Sequence, residues 1–294
     1  MAKKTEVEKK KVETTALATK AIDFGDDAGK NAGIDRSEIV LPFINVLQSK
    51  SPAVEEELVP GAKPGLFINS VNNELSDEIL FVPAYRDHVM LEFVPRKLGG
   101  GFRGKHEFEG DFAQKCLADY KKATGKSWGR IELTNRGNEN KETTELTETF
   151  TLYGVLLDKE GLNVIGAAAI PFKSKKIKWY KKWRTAQNTY RHPKPDGGYA
   201  EPPLYAHVIR ITTWLDKSSP SGAHYNVMIA PAFDGPVPGT DSTAPSIAAS
   251  IVGPGDPRFE AAKKIAQLVE TGEARVDYAA EAETEYDDED EATI

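Results

Sequence analysis

The chain has 294 residues, of which 39% are hydrophobic and 28% are charged. This is enough for a buried core, and no stretch approaches the roughly 20 consecutive apolar residues that a membrane-spanning helix needs. A single cysteine, Cys116, excludes an internal disulfide framework and a cysteine-rich zinc site, and it favours a reducing, cytosolic compartment. The net charge of −7 arises at one end, because nine acidic and no basic residues follow Arg275, which leaves +2 on residues 1–275.

Residues 1–36 contain few large apolar side chains, too few to offset the entropy lost on ordering. We expect a disordered arm here, and no signal peptide, because the charged N-terminus lacks the apolar run of such peptides. A short helix is predicted over Glu38–Ser49 with Ser37 as its N-cap, although Pro42 falls within its first turns and can interrupt it.

From Pro64 onward the pattern changes to short apolar or β-branched runs bounded by Gly, Pro, Asn and Asp, which is typical of strands. Residues alternate clearly in 145–157 and 205–213, as expected for strands with one buried face. Strands and helices do not alternate regularly, so an antiparallel β barrel or sandwich is favoured over a parallel sheet. The predicted strands are Gly65–Asn69, Glu78–Tyr85, His88–Pro95, Trp128–Leu133, Thr143–Leu157, Asn163–Phe172, Leu204–Leu215 and Ala223–Ala230.

Apolar residues at helical spacing predict helices over Asp111–Ala123 and Arg258–Glu270, and also within the basic segment Lys173–Lys194. That segment holds nine Lys or Arg and four aromatic residues without a carboxylate. On a helix, one face would carry Trp179, Trp183, Ala186 and Tyr190.

Two interpretations of the basic segment compete. In one, the aromatic face is core and the lysines are a solvated face; in the other, at least one ring is an exposed stacking platform beside phosphate-binding cations. An ordinary solvated helix face mixes Glu with Lys at a spacing of four residues, whereas these cations repel one another. An external polyanion that balances them is therefore favoured.

A second basic cluster, Pro95–His106 with the sequence PRKLGGGFRGKH, places four Lys or Arg around three consecutive glycines. Such glycines let a backbone approach a phosphate, although a mobile hairpin loop has the same composition. The loop also matches the start of a phosphate-binding motif, but His106 stands where Ser or Thr is required, so NTP hydrolysis is not expected. The sequence offers no other catalytic or metal-ligating pattern, and we predict a protein that is not an enzyme and holds no metal or cofactor.

The segment Glu281–Glu291 is acidic at eight of eleven positions and is expected to be disordered. Tethered by a flexible connection, it would compete for the basic surface until nucleic acid displaces it. A solubilising appendage is the alternative.

The chain resembles the sequence-tolerant single-stranded DNA-binding proteins of phage replication. The resemblance rests on three features: the β-rich middle, the basic sequence KSKKIKWYKKWR at Lys173–Arg184 and the acidic sequence YDDEDE at Tyr286–Glu291. Those proteins pair an OB-type β barrel with an acidic C-terminal tail, often ending in an aromatic residue, whereas this chain ends in Ala-Thr-Ile. The resemblance implies a mainly β (α+β) fold with inserted helices, built on an OB-like antiparallel barrel. The predicted boundaries are a disordered arm at 1–36, an OB-like nucleic-acid-binding core at 37–231, a Pro/Gly/Ser linker at 232–257, a C-terminal helix at 258–272 and a disordered acidic tail at 273–294.

The predicted function is sequence-independent binding of single-stranded DNA in phage-type replication or recombination, in the host cytoplasm. RNA is left open as a ligand, and replication or recombination proteins are expected partners of the tail. The alternatives are a single-strand annealing or recombination-mediator protein, and a virion or assembly protein with a basic patch. The predicted nucleic-acid-binding residues are Arg96, Lys97, Arg103, Lys105, Lys173, Lys175, Lys176, Lys178, Trp179, Tyr180, Lys181, Lys182, Trp183, Arg184, Tyr190 and Arg191.

Overall fold

A computed structural model describes residues 40–126, 129–136, 142–218, 222–237 and 240–279, and gives only the backbone of Arg96, Asn135, Arg136 and Glu142. The predicted arm at 1–36 and the tail from residue 280 lie outside the described residues. The helices are α1 (Pro52–Glu55), α2 (Asp111–Thr124), α3 (Lys176–Thr189) and α4 (Pro257–Glu270). The strands are β1 (Ile44–Val46), β2 (Phe67–Asn69), β3 (Leu75–Ser76), β4 (Glu78–Phe93), β5 (Phe102–Glu107), β6 (Ile131–Arg136), β7 (Glu142–Leu157), β8 (Val164–Lys173), β9 (His192–Pro193), β10 (Tyr199–Ala200), β11 (Ile209–Asp216), β12 (His224–Pro231), β13 (Asp234–Pro236) and β14 (Thr243–Pro245).

Two long antiparallel strands, β4 and β7, organise a seven-stranded sheet. The start of β4 pairs with β11 and its end pairs with β5. Likewise, the start of β7 pairs with β6 and the rest of it pairs with β8, while β12 extends the sheet beyond β11. All these pairs are antiparallel, and the prediction of a mainly β fold with inserted helices is confirmed.

The sheet buries both of its faces, because successive strand residues point to opposite sides. On one side, Phe81 packs in a cluster with side chains of α3. On the other, Val82 packs in a cluster with Phe259 and Ala262 of α4. The far end, at Met90, is covered by α2. Among the described residues, α3 and α4 therefore pack on opposite faces of the sheet.

The predicted helix at Glu38–Ser49 is wrong. Residues 44–46 form β1, which pairs with β2, and the backbone before it meets β8 through a bridge between Phe43 and Ala169. Pro42 cannot donate a backbone hydrogen bond and disfavours a helix, while β-branched Ile44 and Val46 suit a strand, where both are buried. The apolar spacing reflects burial on both faces rather than helical periodicity.

A closed barrel is not confirmed, because strand pairing among the described residues leaves the free edges of β8 and β12 unpaired with each other. The segment around β1 contacts both β8 and β12, through a single bridge and through side-chain hydrogen bonds. Beside β8 it makes the bridge at Ala169; beside β12, the Gln48 side-chain amide donates to the carbonyl of Tyr225 and accepts from its N–H, each at 2.8 Å. One side chain thus reproduces the hydrogen bonding of a neighbouring strand at this point.

The stretch predicted as a linker, 232–257, contains β13 and β14, and its residues Ala232 and Val252 are buried beneath α4. Its Pro and Gly content reflects turns between short strands as well as loop. After α4 the chain returns to the sheet, where Tyr278 is 6% exposed and its hydroxyl lies 3.1 Å from that of Thr151. The start of the predicted tail segment is therefore anchored.

Candidate nucleic-acid interface

The basic helix α3 follows a sharp turn at the end of β8. Ser174 has a φ of 48°, a left-handed conformation that non-glycine residues seldom adopt, and it lies between strand and helix. The first turn of α3 carries Lys176 and Lys178 and no acidic residue. Since the N-terminus of a helix already bears partial positive charge, these lysines add to it.

The aromatic residues of α3 divide between the core and the surface. Tyr180 is 1% exposed and stacks on Phe150 with ring centroids 4.7 Å apart, and Trp183 is also buried. Neither ring is available to a base, so their assignment as binding residues is corrected. The buried side chains of α3 are Lys176, Ile177, Tyr180, Trp183 and Gln187.

The face predicted to join Trp179, Trp183, Ala186 and Tyr190 is therefore wrong in register. Ala186 is exposed, and Trp179 lies at the border of the buried face. Ile177 and Tyr180 fix the inward direction, because a branched apolar side chain and a large ring bury more surface than Ala186.

Two of the predicted phosphate-binding lysines are also buried, Lys173 and Lys176, each 7% exposed. The Lys173 ammonium lies 5.2 Å from the centroid of the Phe93 ring, a cation–π contact. Phe93 ends β4, directly before the glycine-rich loop. Burial removes both lysines from the candidate surface, while Lys173 connects the two basic segments.

A pair of tryptophans lies at the centre of the site, with Trp214 exposed and Trp179 half-buried. Trp179 of α3 and Trp214 of β11 meet edge to face, with ring centroids 5.7 Å apart and planes at 82°. The ammonium groups of Lys178 and Lys182 lie 5.7 and 5.5 Å from the Trp179 ring centroid. Trp214 is 37% exposed. Aromatic surface and cations thus share one position, which is the arrangement that suits stacked bases beside phosphates.

Trp214 was not predicted as a binding residue, because it lies outside the basic segment in the sequence. The alternation of β11 offered a signal: Ile209 and Ile211 face the core that includes α3, so Trp214 belongs to the other set of side chains. An aromatic residue near the end of a strand, out of step with the buried positions, is a candidate for an exposed ring.

Lys181 lies next to a half-buried polar cluster, formed by Glu148 and His88. Its side chain is 56% exposed and forms a salt bridge of 3.3 Å with Glu148, which also accepts from His88 at 3.1 Å. The His88 ring stacks between Phe108 and Phe150 with centroid distances of 3.8 and 3.9 Å. Burial opposes ionisation of Glu148, but the His88 hydrogen bond and the Lys181 charge together lower its pKa. Glu148 therefore stays charged and holds Lys181 at the surface.

The remaining predicted cations of α3 are half-exposed or exposed. Lys175 precedes the helix, and Arg184 donates a hydrogen bond to Gln187. After the helix, Tyr190 is half-buried and Arg191 lies 3.5 Å from Glu201. Surface ion pairs of this kind are weak, so a polyanion can compete for Arg191.

The second basic cluster lies on the 3-10 turn at residues 96–98 and on β5. Lys97 and Arg103 are exposed, while Lys105 forms a 2.6 Å salt bridge with Asp87. The backbone of Arg96 belongs to the 3-10 turn, but its side chain lies outside the described residues. The loop that joins this turn to β5 consists of Gly99, Gly100 and Gly101. All three have positive φ, a backbone conformation that favours glycine.

An acidic cavity lies elsewhere, between β2 and β3, the start of β4 and the turn after β7. Its volume is about 700 Å³. Its charge would repel phosphate, so the cavity is not part of the candidate interface. The charged residues that line it are Glu74, Asp77, Glu78, Asp158, Lys159 and Glu160.

Comparison with protein-family models shows the family to which the chain belongs. The model of one family, described as Pam3 phage gp34-like protein, matches residues 9–275. The chain belongs to the Pam3 phage gp34-like family. Membership indicates a phage protein, as the sequence resemblance implied, and the acidic segment Glu281–Glu291 lies outside the matched range. Searches of curated proteins and of solved structures found no match to this gp34-like chain.

Two further observations concern the described part of the gp34-like chain. None of its helices is long and apolar enough to cross a membrane. Within the same residues, no group of three or more His, Cys, Asp or Glu side chains is placed to hold a metal ion.

Proposed function

We propose that this gp34-like protein binds single-stranded DNA without sequence preference, in phage replication or recombination in the host cytoplasm. The observation that carries the proposal is the Trp179–Trp214 pair, in which Trp214 is exposed and Trp179 is half-buried, flanked by Lys178 and Lys182. Base stacking on aromatic rings is worth roughly 1–3 kcal/mol per base and is indifferent to sequence, because every base has a π-face.

The electrostatic part of the proposal rests on the exposed cations around this pair. Each lysine that meets a phosphate releases counterions, so binding weakens as salt rises. Buried Lys173 and Lys176 are left out of this role. The cations proposed to follow the DNA backbone are Lys175, Lys178, Lys181, Lys182, Arg184 and Arg191, with Arg96, Lys97, Arg103 and Lys105 as a second group.

We infer an OB-like arrangement from five of the strands. In the order β8, β7, β4, β11 and β12 they form one antiparallel set, and α3 connects β8 to the later strands. OB-folds are five-stranded, partly open barrels that bind oligonucleotides on one face. An experimental structure in which β8 and β12 close through strand pairing would support this classification.

The salt dependence of binding tests the proposal. A fluorescent single-stranded thymidine oligomer is titrated with protein at several salt concentrations, and the slope of log K against log salt is measured. Replacing Lys178 and Lys182 by Ala should reduce that slope by about 1.4, the loss of two phosphate contacts on a single strand. The matched control replaces Lys263 and Lys264, exposed neighbours on α4, and should leave the slope unchanged. An equal reduction in both double variants contradicts the assignment of this surface.

Two alternatives share the basic surface. A single-strand annealing or recombination-mediator protein would assemble into larger particles on DNA, which sizing with and without oligomer detects. A virion or assembly protein would bind double-stranded DNA at least as well as single strands. Competition with RNA of equal length would show which nucleic acid is preferred.

A further inference from the structure

Arg86 is an exposed cation that lies outside both basic segments of the chain. It belongs to β4 and pairs with Leu152 of β7, two residues before His88, which pairs with Phe150. Since alternate residues of a strand point to the same side, Arg86 shares the sheet face of His88, whose ring stacks on Phe150 at 3.9 Å. Arg86 therefore stands on the face of the sheet that α3 covers.

The buried side chain of Tyr180 lies near both Arg86 and Arg184 of α3. Tyr180 stacks on Phe150, which is on the same sheet face as Arg86, with ring centroids 4.7 Å apart. Burial raises the pKa of the Tyr180 hydroxyl, and the charges of Arg86 and Arg184 both oppose this rise. Because such an effect weakens with distance, the two guanidinium groups are both close to this hydroxyl, and so to each other.

Neither arginine forms an ion pair within the described part of the chain. Arg184 donates a hydrogen bond to the neutral side chain of Gln187, and no salt bridge joins Arg86 or Arg184 to a described carboxylate. Asp87, the next residue of β4, points to the opposite face and pairs with Lys105 at 2.6 Å. Two neighbouring positive charges without a counter-ion repel each other, so an anion that binds both stabilises the arrangement.

The two arginines continue the surface that carries the tryptophans. Arg86 is exposed and Arg184 is half-buried, so a ligand can approach both from solvent. Arg184 follows Trp179 by five residues on α3, a rise of about 7.5 Å along the helix axis. Guanidinium groups suit phosphate in particular, because each presents several N–H donors in one plane.

We propose that Arg86 and Arg184 together hold one phosphate of a single strand whose base stacks on the tryptophan pair. The proposal rests on the function proposed above and adds to it a binding residue and a path for the strand. The strand passes from Trp214 along α3 towards the middle of β4, away from the acidic cavity at the start of β4. The hydroxyl of Tyr180 stays buried and does not contact the DNA.

Variants that remove one charge test this contact with a labelled thymidine oligomer. Arg86→Gln should bind the oligomer about tenfold more weakly than the wild type, the effect of one charged hydrogen bond. Lys263→Gln removes the same charge from an exposed position of α4, on the other face of the sheet, and should bind like the wild type. Thermal melting checks the folding of each variant, and Arg86→Met repeats the comparison if Arg86→Gln does not fold.

The salt dependence of binding shows whether the two arginines share a phosphate. Combining Arg86→Gln with Arg184→Gln should reduce the slope of log K against log salt by about 0.7, the value for one phosphate on a single strand. If each arginine met a phosphate of its own, the reduction would be about 1.4, as expected for the Lys178 and Lys182 double variant.

The outcomes separate the two proposals. Wild-type affinity in Arg86→Gln, an equal loss in Lys263→Gln, or a slope reduction of about 1.4 in the double arginine variant overturns the shared phosphate contact. Each of these results leaves the DNA-binding proposal standing. Failure of the wild type to bind the oligomer overturns both.

Discussion

Trp179 and Trp214 contact each other edge to face at 5.7 Å, and this contact joins α3 to β11 at the surface. Edge-to-face packing is a favoured geometry for aromatic pairs. It orients both rings before any ligand arrives, so little side-chain entropy remains to be lost on binding. The lysines over Trp179 place positive charge beside the same rings.

Replacing Trp214 by Ala should weaken binding of a thymidine oligomer by roughly 1–3 kcal/mol, the contribution of one stacked base. Stability should change much less than affinity, because the ring is already 37% exposed. Fluorescence anisotropy and thermal melting measure the two effects. Leu215→Ala is the matched control, since Leu215 is 39% exposed and the next residue on the other side of β11. Equal losses of affinity in both variants would refute a role for the Trp214 ring.

Replacing Tyr180 by Ala should destabilise the protein by about 3–5 kcal/mol, as expected for deletion of a fully buried ring. Tyr180 packs between Phe150 and Phe172, with centroid distances of 4.7 and 5.3 Å. Tyr199→Ala is the control, because Tyr199 is 71% exposed and should change stability by less than about 0.5 kcal/mol. Chemical denaturation measures both variants. A mild Tyr180→Ala effect would show that this ring is not a core residue.

Acid should destabilise the protein through His207. Burial, with the nearby charge of Arg184, lowers the pKa of His207 from 6.5 to about 4. The unfolded chain therefore binds a proton below pH 6.5 that the native chain binds only near pH 4, so stability falls as pH decreases through this window. Urea denaturation of wild type and His207→Gln at several pH values measures the effect. The variant should show a shallower loss, and parallel curves would exclude His207 as the cause.

Deleting residues 281–294 should tighten binding at low salt, because the deletion removes an anionic competitor. The buried anchor Tyr278 is retained, so the folded part should be unaffected. The control replaces the acidic residues of this segment by Asn and Gln and should have the same effect. Unchanged affinity in both proteins would leave the segment as a solubilising appendage.

Sequence patterns predicted the secondary structure well where one face of an element is buried. The helix α3 and the strand β7 have the expected type, because their apolar residues follow a single period. The segment around β1 was assigned wrongly, because burial on both faces hides the strand period. The continuity of β4 was also missed: two strands were predicted, Glu78–Tyr85 and His88–Pro95, whereas β4 runs without a break through Arg86 and Asp87, which pair with β7.

The candidate site was only partly predictable for a different reason. Local charge density located α3, but it could not distinguish exposed Lys182 from buried Lys176, whose positions depend on which face of the helix meets the sheet. Trp214 comes from β11, which follows the basic segment in the chain, and only tertiary packing brings its ring against Trp179. Long-range packing of this kind leaves little local signal.

The surface formed by Trp214, half-buried Trp179 and the neighbouring lysines is proposed to bind unpaired DNA. The most direct measurement is competition against a bound, labelled thymidine oligomer by unlabelled single-stranded and double-stranded DNA of equal length, at two salt concentrations. We predict that single strands compete at concentrations at least about tenfold lower, a difference of ~1.4 kcal/mol, and that wild-type binding weakens with salt. Equal competition by double-stranded DNA at both salt concentrations would contradict the account.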